Sequence, residues 1–241
     1  MKQLLFSKTD KILILAPHPD DESIGCGALI SQYAPQIDVV LLTDGRFGGM
    51  DSPETIMKIR AQEFEKVMHC AKVHSWFKLG ISDRELKNSF KTFQTIDFSS
   101  YTHIFIPHRA EDQCDHRWCF PFLMRSKVKA DTLICGYEVW TPIQSPNRFL
   151  PIKDYEPKKK LISFYKSQLK YNDYVACMQG LNKYRGLKAR APYAECYEVF
   201  TFKELQLKYV WWHRLWGKAK KINGQSVYFF LGFHLNRGKK I

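Results

Sequence analysis

The sequence predicts a three-layer α/β fold, a mostly parallel sheet with helices on both faces. Three observations predict it. Short apolar runs alternate with stretches whose apolar residues recur at helical spacing. The interval between runs suits a strand, a crossover helix and the next strand. The polar residues able to do chemistry fall directly after the apolar runs, where open parallel sheets bind ligands.

The first apolar run, residues 11–16, reads as a buried strand. Residues 23–33 carry helical periodicity, and Pro35 ends that helix. Residues 37–42 form a second buried strand, closed by Thr43, Asp44 and Gly45, where the Asp-Gly pair favours a tight turn. Residues 54–71 make a long amphipathic helix with Ile56, Ile59, Phe64, Val67 and Met68 near one face. Strands follow at 75–79 and 101–107, a helix at 115–127 and a fifth strand at 132–139. Beyond residue 150, 157–170 and 174–184 read as helices, while 193–202 fits either a strand or a helix.

From Lys203 the chain becomes basic and aromatic, with Glu204 its only acid and Tyr209, Trp211, Trp212 and Trp216 in close succession. The expected organisation is one domain over 1–202 and an extension over 203–241 packed on it. Forty-five per cent of the 241 residues are hydrophobic, enough for a sizeable core. Residues 1–7 are followed by Lys8, Asp10 and Lys11, and the run that follows is too short for a signal peptide or a membrane span. The seven cysteines are odd in number and include no CxxC pair, which predicts a reduced, cytoplasmic protein. Cys114 and Cys119 flank His116 and are read as buried small residues. The net charge of +13 favours an anionic partner without choosing among nucleic acid, a phosphorylated substrate and an anionic membrane.

Pro17-His18-Pro19-Asp20-Asp21-Glu22 follows the first strand directly. The prolines stop the strand and stiffen the turn, so one imidazole and two carboxylates sit on a short rigid loop. A hydrolytic zinc needs three nitrogen or oxygen ligands and an open position. His18 and one of the two aspartates supply two ligands, and His116, after the fourth strand, is placed to supply the third. The other aspartate is then free to act as a base. Asp20 or Asp21 could instead cap the following helix, but a cap needs neither His18 nor the distant Asp115-His116 pair.

These residues resemble the PIG-L (LmbE-like) family of zinc-dependent N-acetylglucosaminyl deacetylases. Further matches include Arg60 with Glu63, Gly80 with Asp83, Asp115-His116-Arg117, Tyr137-Glu138-Val139-Trp140, Tyr165-Lys166-Ser167-Gln168 and Tyr193-Ala194-Glu195. The resemblance covers residues 11–200 and implies a Rossmann-like, LmbE-like domain. It implies His18, Asp21 and His116 as ligands of Zn2+, Asp20 as general base and then acid, and Asp115 as an acid in the network behind the site. It also implies that Arg60 and Asp83 hold sugar hydroxyls. Gln113 stands where the family usually has a histidine that helps stabilise the oxyanion; it can donate a hydrogen bond but carries no charge. His108 is a nearby substitute.

The implied reaction is hydrolysis of the acetamide of an N-acetylated sugar, lipid-linked, nucleotide-linked or free, in glycan or glycolipid assembly. Two alternatives stand beside it. One is a related amidohydrolase acting on a thiol-precursor glycoside or an antibiotic intermediate. The other is a weakly catalytic basic protein on nucleic acid or membrane; the absence of a nucleic-acid module argues against nucleic acid. The extension 203–241 has the Trp, Tyr, Lys and Arg content of a peripheral contact with anionic lipid, at the inner face of the membrane. The oligomeric state is not legible.

Overall fold

The computed structural model describes residues 1–207, 220–222, 225–230 and 233–235. The chain begins with a two-residue strand, β1 (Lys2–Gln3), and then β2 (Ile12–Ala16), α1 (Asp21–Tyr33), β3 (Ile37–Thr43), α2 (Pro53–Ala71) and β4 (Ser75–Ile81). After a short helix, α3 (Phe90–Phe93), come β5 (His103–Pro107), α4 (His116–Met124), β6 (Leu133–Tyr137) and β7 (Arg148–Ile152). Helices α5 (Glu156–Ser163), α6 (Lys166–Leu169) and α7 (Tyr174–Ala189) lead to β8 (Tyr193–Thr201). The last strands, β9 (Lys220–Ile222), β10 (Gln225–Phe230) and β11 (Phe233–Leu235), pair antiparallel in a sheet of their own.

The main sheet has the order β1-β7-β8-β6-β5-β2-β3-β4. From β6 to β4 all neighbours are parallel, as the alternation of elements predicts. Strand β8 runs antiparallel to both β6 and β7. The pattern of β2 shows why it lies at the centre. Ile12, Ile14 and Ala16 enter one core with residues of α1 and α2. Leu13 and Leu15 enter a second core with Phe93 and with Cys119, Phe122 and Leu123 of α4. A strand apolar at every position is thus buried on both faces, between two helical layers.

The chain from β2 continues to β3 on one side, whereas β5 pairs on the other. That reversal opens a crevice at the carboxyl ends of β2 and β5, the usual ligand position in such sheets.

Two details differ from the sequence reading. The helix expected over 157–170 is two helices, because Tyr165 leaves helical geometry at ψ 57° and its hydroxyl donates to Glu22 at 2.5 Å. Strands β1 and β7 lie at the sheet's far edge, where short half-polar segments carry no periodicity to read. Phe202 and Leu205 are both buried in the second core. Most of the expected aromatic extension, including Tyr209, Trp211, Trp212 and Trp216, lies outside the described residues. Among the described residues no helix is long and apolar enough to cross a membrane.

Candidate active site

The crevice is lined by His18, Asp20, Asp21, Ile24, Phe47, Arg60, Asp83, Arg84, Gln113, Val139, Trp140, Gln168 and Tyr174, among others. The residues singled out in the sequence therefore meet at one place. Asp115 and His116 lie just beneath the wall, against His18 and Asp21, and the others line it. The loops after β2, β4 and β5 supply them, with Arg60 from α2.

The loop after β2 is strained. Asp20 has φ 127°, a region that side chains rarely adopt. Its side chain makes no capping hydrogen bond to α1, so the capping reading fails for Asp20. Other groups hold the strain in place. The guanidinium of Arg60 donates to the Pro19 carbonyl at 2.6 Å and the Gly45 carbonyl at 3.0 Å, and lies 3.2 Å from Asp20 Oδ1. Gly45, at φ 62°, lets the loop after β3 press on this guanidinium; a Cβ there would lie 2.8 Å from Arg60 Nη1. Arg60 therefore organises the loop, and its buried Nε has no hydrogen-bond partner.

Three atoms converge beside Asp20. His18 Nδ1 lies 3.2 Å from Asp21 Oδ2, His116 Nε2 lies 3.0 Å from the same oxygen, and the two ring nitrogens are 3.3 Å apart. A tetrahedral zinc with bonds of about 2.0–2.2 Å spaces its ligand atoms at roughly 3.3 Å. The other ring nitrogen of His116 is buried without a hydrogen bond and faces Glu111 Oε2 at 3.6 Å. A metal-bound histidine characteristically presents its second nitrogen to a carboxylate. These residues fit a divalent metal. A second set, His18, Asp83 and Asp115, is also close enough. It fits less well, because both oxygens of Asp115 accept amides, from Arg84 at 2.8 Å and Leu86 at 3.3 Å, whereas Asp21 accepts one, from His18 at 2.8 Å.

His18 is surrounded by negative charge. Its Nε2 lies 3.2 Å from Asp115 Oδ2 and 3.3 Å from Asp83 Oδ1. Burial opposes its protonation, but Asp115, Asp21 and Asp83 outweigh burial and raise its pKa well above the ordinary value. The pocket is thus built for positive charge, which a divalent cation supplies in place of a proton. Burial, opposed by Arg60, moves the Asp20 carboxyl up to about 7; a cation nearby would draw it down again. Asp83 goes the other way, to about 2, because hydrogen bonding to His18 overcomes burial.

Gln113 has a structural task. Its Oε1 accepts from the amides of Asp115 at 2.7 Å and His116 at 3.0 Å, capping α4. Its Nε2 sits 3.4 Å from His18 Nε2. His108 does not stand in for the missing histidine: its Nε2 bonds the Thr141 carbonyl at 2.6 Å and its Nδ1 accepts from the Ala110 amide. Cys119 is buried as expected, whereas Cys114 is exposed. Glu195, one of the residues matching the family, forms a buried ion pair with Lys158 at 2.7 Å.

Sequence reasoning missed Glu111 and Tyr174. Glu111 accepts from the amides of Val139, Trp140 and Thr141 at 2.9, 3.0 and 3.2 Å. It could have been suspected as an acid shortly before the Asp115-His116 pair, on the same loop.

The sequence matches the family model PIG-L, described as GlcNAc-PI de-N-acetylase, over residues 13–126. No curated protein matches the sequence. Among solved structures the fold resembles the N,N'-diacetylchitobiose deacetylase from Pyrococcus horikoshii, with 22% identity and TM-score 0.66 over 81% of this chain and 85% of that one. It also resembles a conserved protein from Thermus thermophilus, with 20% identity and TM-score 0.66 over 78% and 93% of the two chains. A third likeness is the 4-carboxy-2-hydroxymuconate hydratase from Pseudomonas putida, with 16% identity and TM-score 0.62 over 79% and 95%.

Proposed function

From the match of residues 13–126 to the PIG-L family model and the geometry of the site, we propose that the chain is a zinc enzyme that hydrolyses the acetamide of an N-acetylated sugar of the N-acetylglucosamine type. Acetate and an amino sugar are the products. The observation that carries this reading is the triangle of His18, Asp21 and His116 with the Asp20 carboxylate beside it, at the wall of an open crevice. The fold alone does not choose the reaction, since a hydratase shares it. Several solved relatives are deacetylases, among them those acting on diacetylchitobiose, the A40926 pseudoaglycone and teicoplanin.

His18, Asp21 and His116 would hold the metal. When bound, the metal supplies Lewis acidity toward the amide carbonyl and lowers the pKa of water at the site. Asp20 takes the proton of the attacking water. Arg60 holds its Oδ1, which leaves Oδ2 to accept the proton and later return it to the departing amine. Asp115 and Asp83 fix the His18 ring from its other nitrogen. Gln113 presents its amide N–H toward the developing oxyanion, without the charge a histidine would add. Asp83 and Arg60 line the crevice and are assigned to the sugar hydroxyls.

This activity is assigned to residues 1–202, with 203–241 as an extension that contacts anionic lipid and brings the enzyme to the inner face of the membrane. Acetate release from free, nucleotide-linked and lipid-linked N-acetylglucosamine, before and after chelation and with zinc restored, tests the proposal. Release that chelation abolishes and zinc restores is expected. Undiminished release from metal-free protein would overturn it.

A further inference from the structure

Trp140 is the unusual residue at the mouth of the crevice. It lines the site, yet 51% of its surface is exposed. An exposed tryptophan on a loop ordinarily swings freely, and ordering it on binding carries an entropic cost. Here the backbone beneath it is locked. Glu111 accepts from three successive amides, Val139, Trp140 and Thr141, at 2.9, 3.0 and 3.2 Å. On the far side of the loop Glu138 accepts from the Ile143 amide at 2.7 Å. Arg185 pairs with Glu138 and donates to the Ile143 carbonyl at 2.7 Å. All three charged side chains are buried. Tyr174 supports the indole ring edge-on, with centroids 5.8 Å apart.

Buried charges are costly to assemble, and this group of them holds a surface aromatic in place. The same Glu111 faces His116 Nδ1 at 3.6 Å, so one carboxylate ties the proposed metal ligand to the aromatic surface.

We infer that Trp140 is a preformed stacking platform for a second sugar ring, next to the acetamido sugar whose amide is cleaved. This rests on the deacetylase reading. A pyranose presents a face of C–H groups that lies flat on an indole, while its hydroxyls point outward at the ring's rim. The same crevice offers Arg84 and Gln168 as partners for those hydroxyls. The natural substrate is therefore at least a disaccharide or a glycoside of similar length.

The test compares kcat/KM for N-acetylglucosamine and for its β-1,4-linked dimer in wild type, Trp140→Ala and Trp140→Phe. Binding of the fully deacetylated dimer is measured alongside by calorimetry. Wild type is expected to favour the dimer. Trp140→Ala should erase that preference by raising KM for the dimer roughly tenfold, which corresponds to about 1.4 kcal/mol. Trp140→Phe should restore most of it. Calorimetric affinity for the deacetylated dimer should fall in parallel. A wild type that treats both sugars alike, or a Trp140→Ala that weakens both equally, overturns the platform and leaves the deacetylase reading standing. No acetate from either sugar, with no Trp140-dependent affinity for the deacetylated dimer, also overturns the platform; the deacetylase reading is decided by the nucleotide-linked and lipid-linked compounds.

Discussion

Carboxylates organise the site residue by residue, and each differs in what it touches. Asp21 shares one oxygen between two imidazoles. Asp115 is almost fully buried and links His18 to the turn at Arg84, whose φ of 69° it helps to hold through the Arg84 amide. Glu111 joins His116 to the Trp140 loop. Glu22 fixes the strained loop from below: it accepts from Tyr165 at 2.5 Å and Ser23 at 2.7 Å, and lies 3.3 Å from the Asp20 amide. Glu111→Gln keeps an acceptor for the loop amides but removes the charge facing His116. Its metal affinity should fall by about 10–100-fold, read by competition with a chelator of known affinity. Unaltered affinity would mean that Glu111 serves the loop alone.

Among the elements, α1 is the one on which the site depends most. Its first turn carries Asp21 and Glu22, and it breaks at Cys26, where φ is −132°. The break frees amides that a regular helix would satisfy. Glu195 of β8 accepts from Ala28 at 2.8 Å and Leu29 at 3.0 Å, and pairs with Lys158 of α5. Gly27 lets the Lys158 stem pass, since a Cβ there would lie 2.8 Å from its Cγ. Glu195→Gln leaves Lys158 buried and unpaired and should destabilise the fold by about 3–5 kcal/mol in urea unfolding. Asp173 caps α7 by accepting from the Ala176 amide at 2.9 Å. Asp173→Ala should cost only about 1 kcal/mol in the same assay. The five parallel strands and the first two long helices were legible, because short, mostly apolar runs are set between stretches of helical spacing. The site loop was legible because His18, Asp20 and Asp21 follow such a strand. The break in α1, the Glu195–Lys158 pair and the bracing by Glu111 were not. Each joins residues far apart in the chain, and no local pattern encodes such a contact.

For the whole molecule, the sheet's reversal between β2 and β5 brings residues from several loops to one crevice, and a bound metal would tie those loops together. Metal-free protein should therefore gain stability on adding zinc, since the unfolded chain lacks the assembled site. At about 100 times the dissociation constant the gain is about 2.7 kcal/mol, a rise in Tm of roughly 5–10 °C for a domain of this size. His18→Ala should lose most of that rise in a thermal melt. The hydratase on the same fold shows that chemistry here belongs to side chains rather than architecture. The most direct measurement is the rate of acetate release from N-acetylglucosamine substrates by zinc-loaded wild type and Asp20→Asn at equal metal occupancy. The account predicts a fall in kcat of about 10²–10⁴-fold with little change in KM. Equal rates in the two proteins would contradict it.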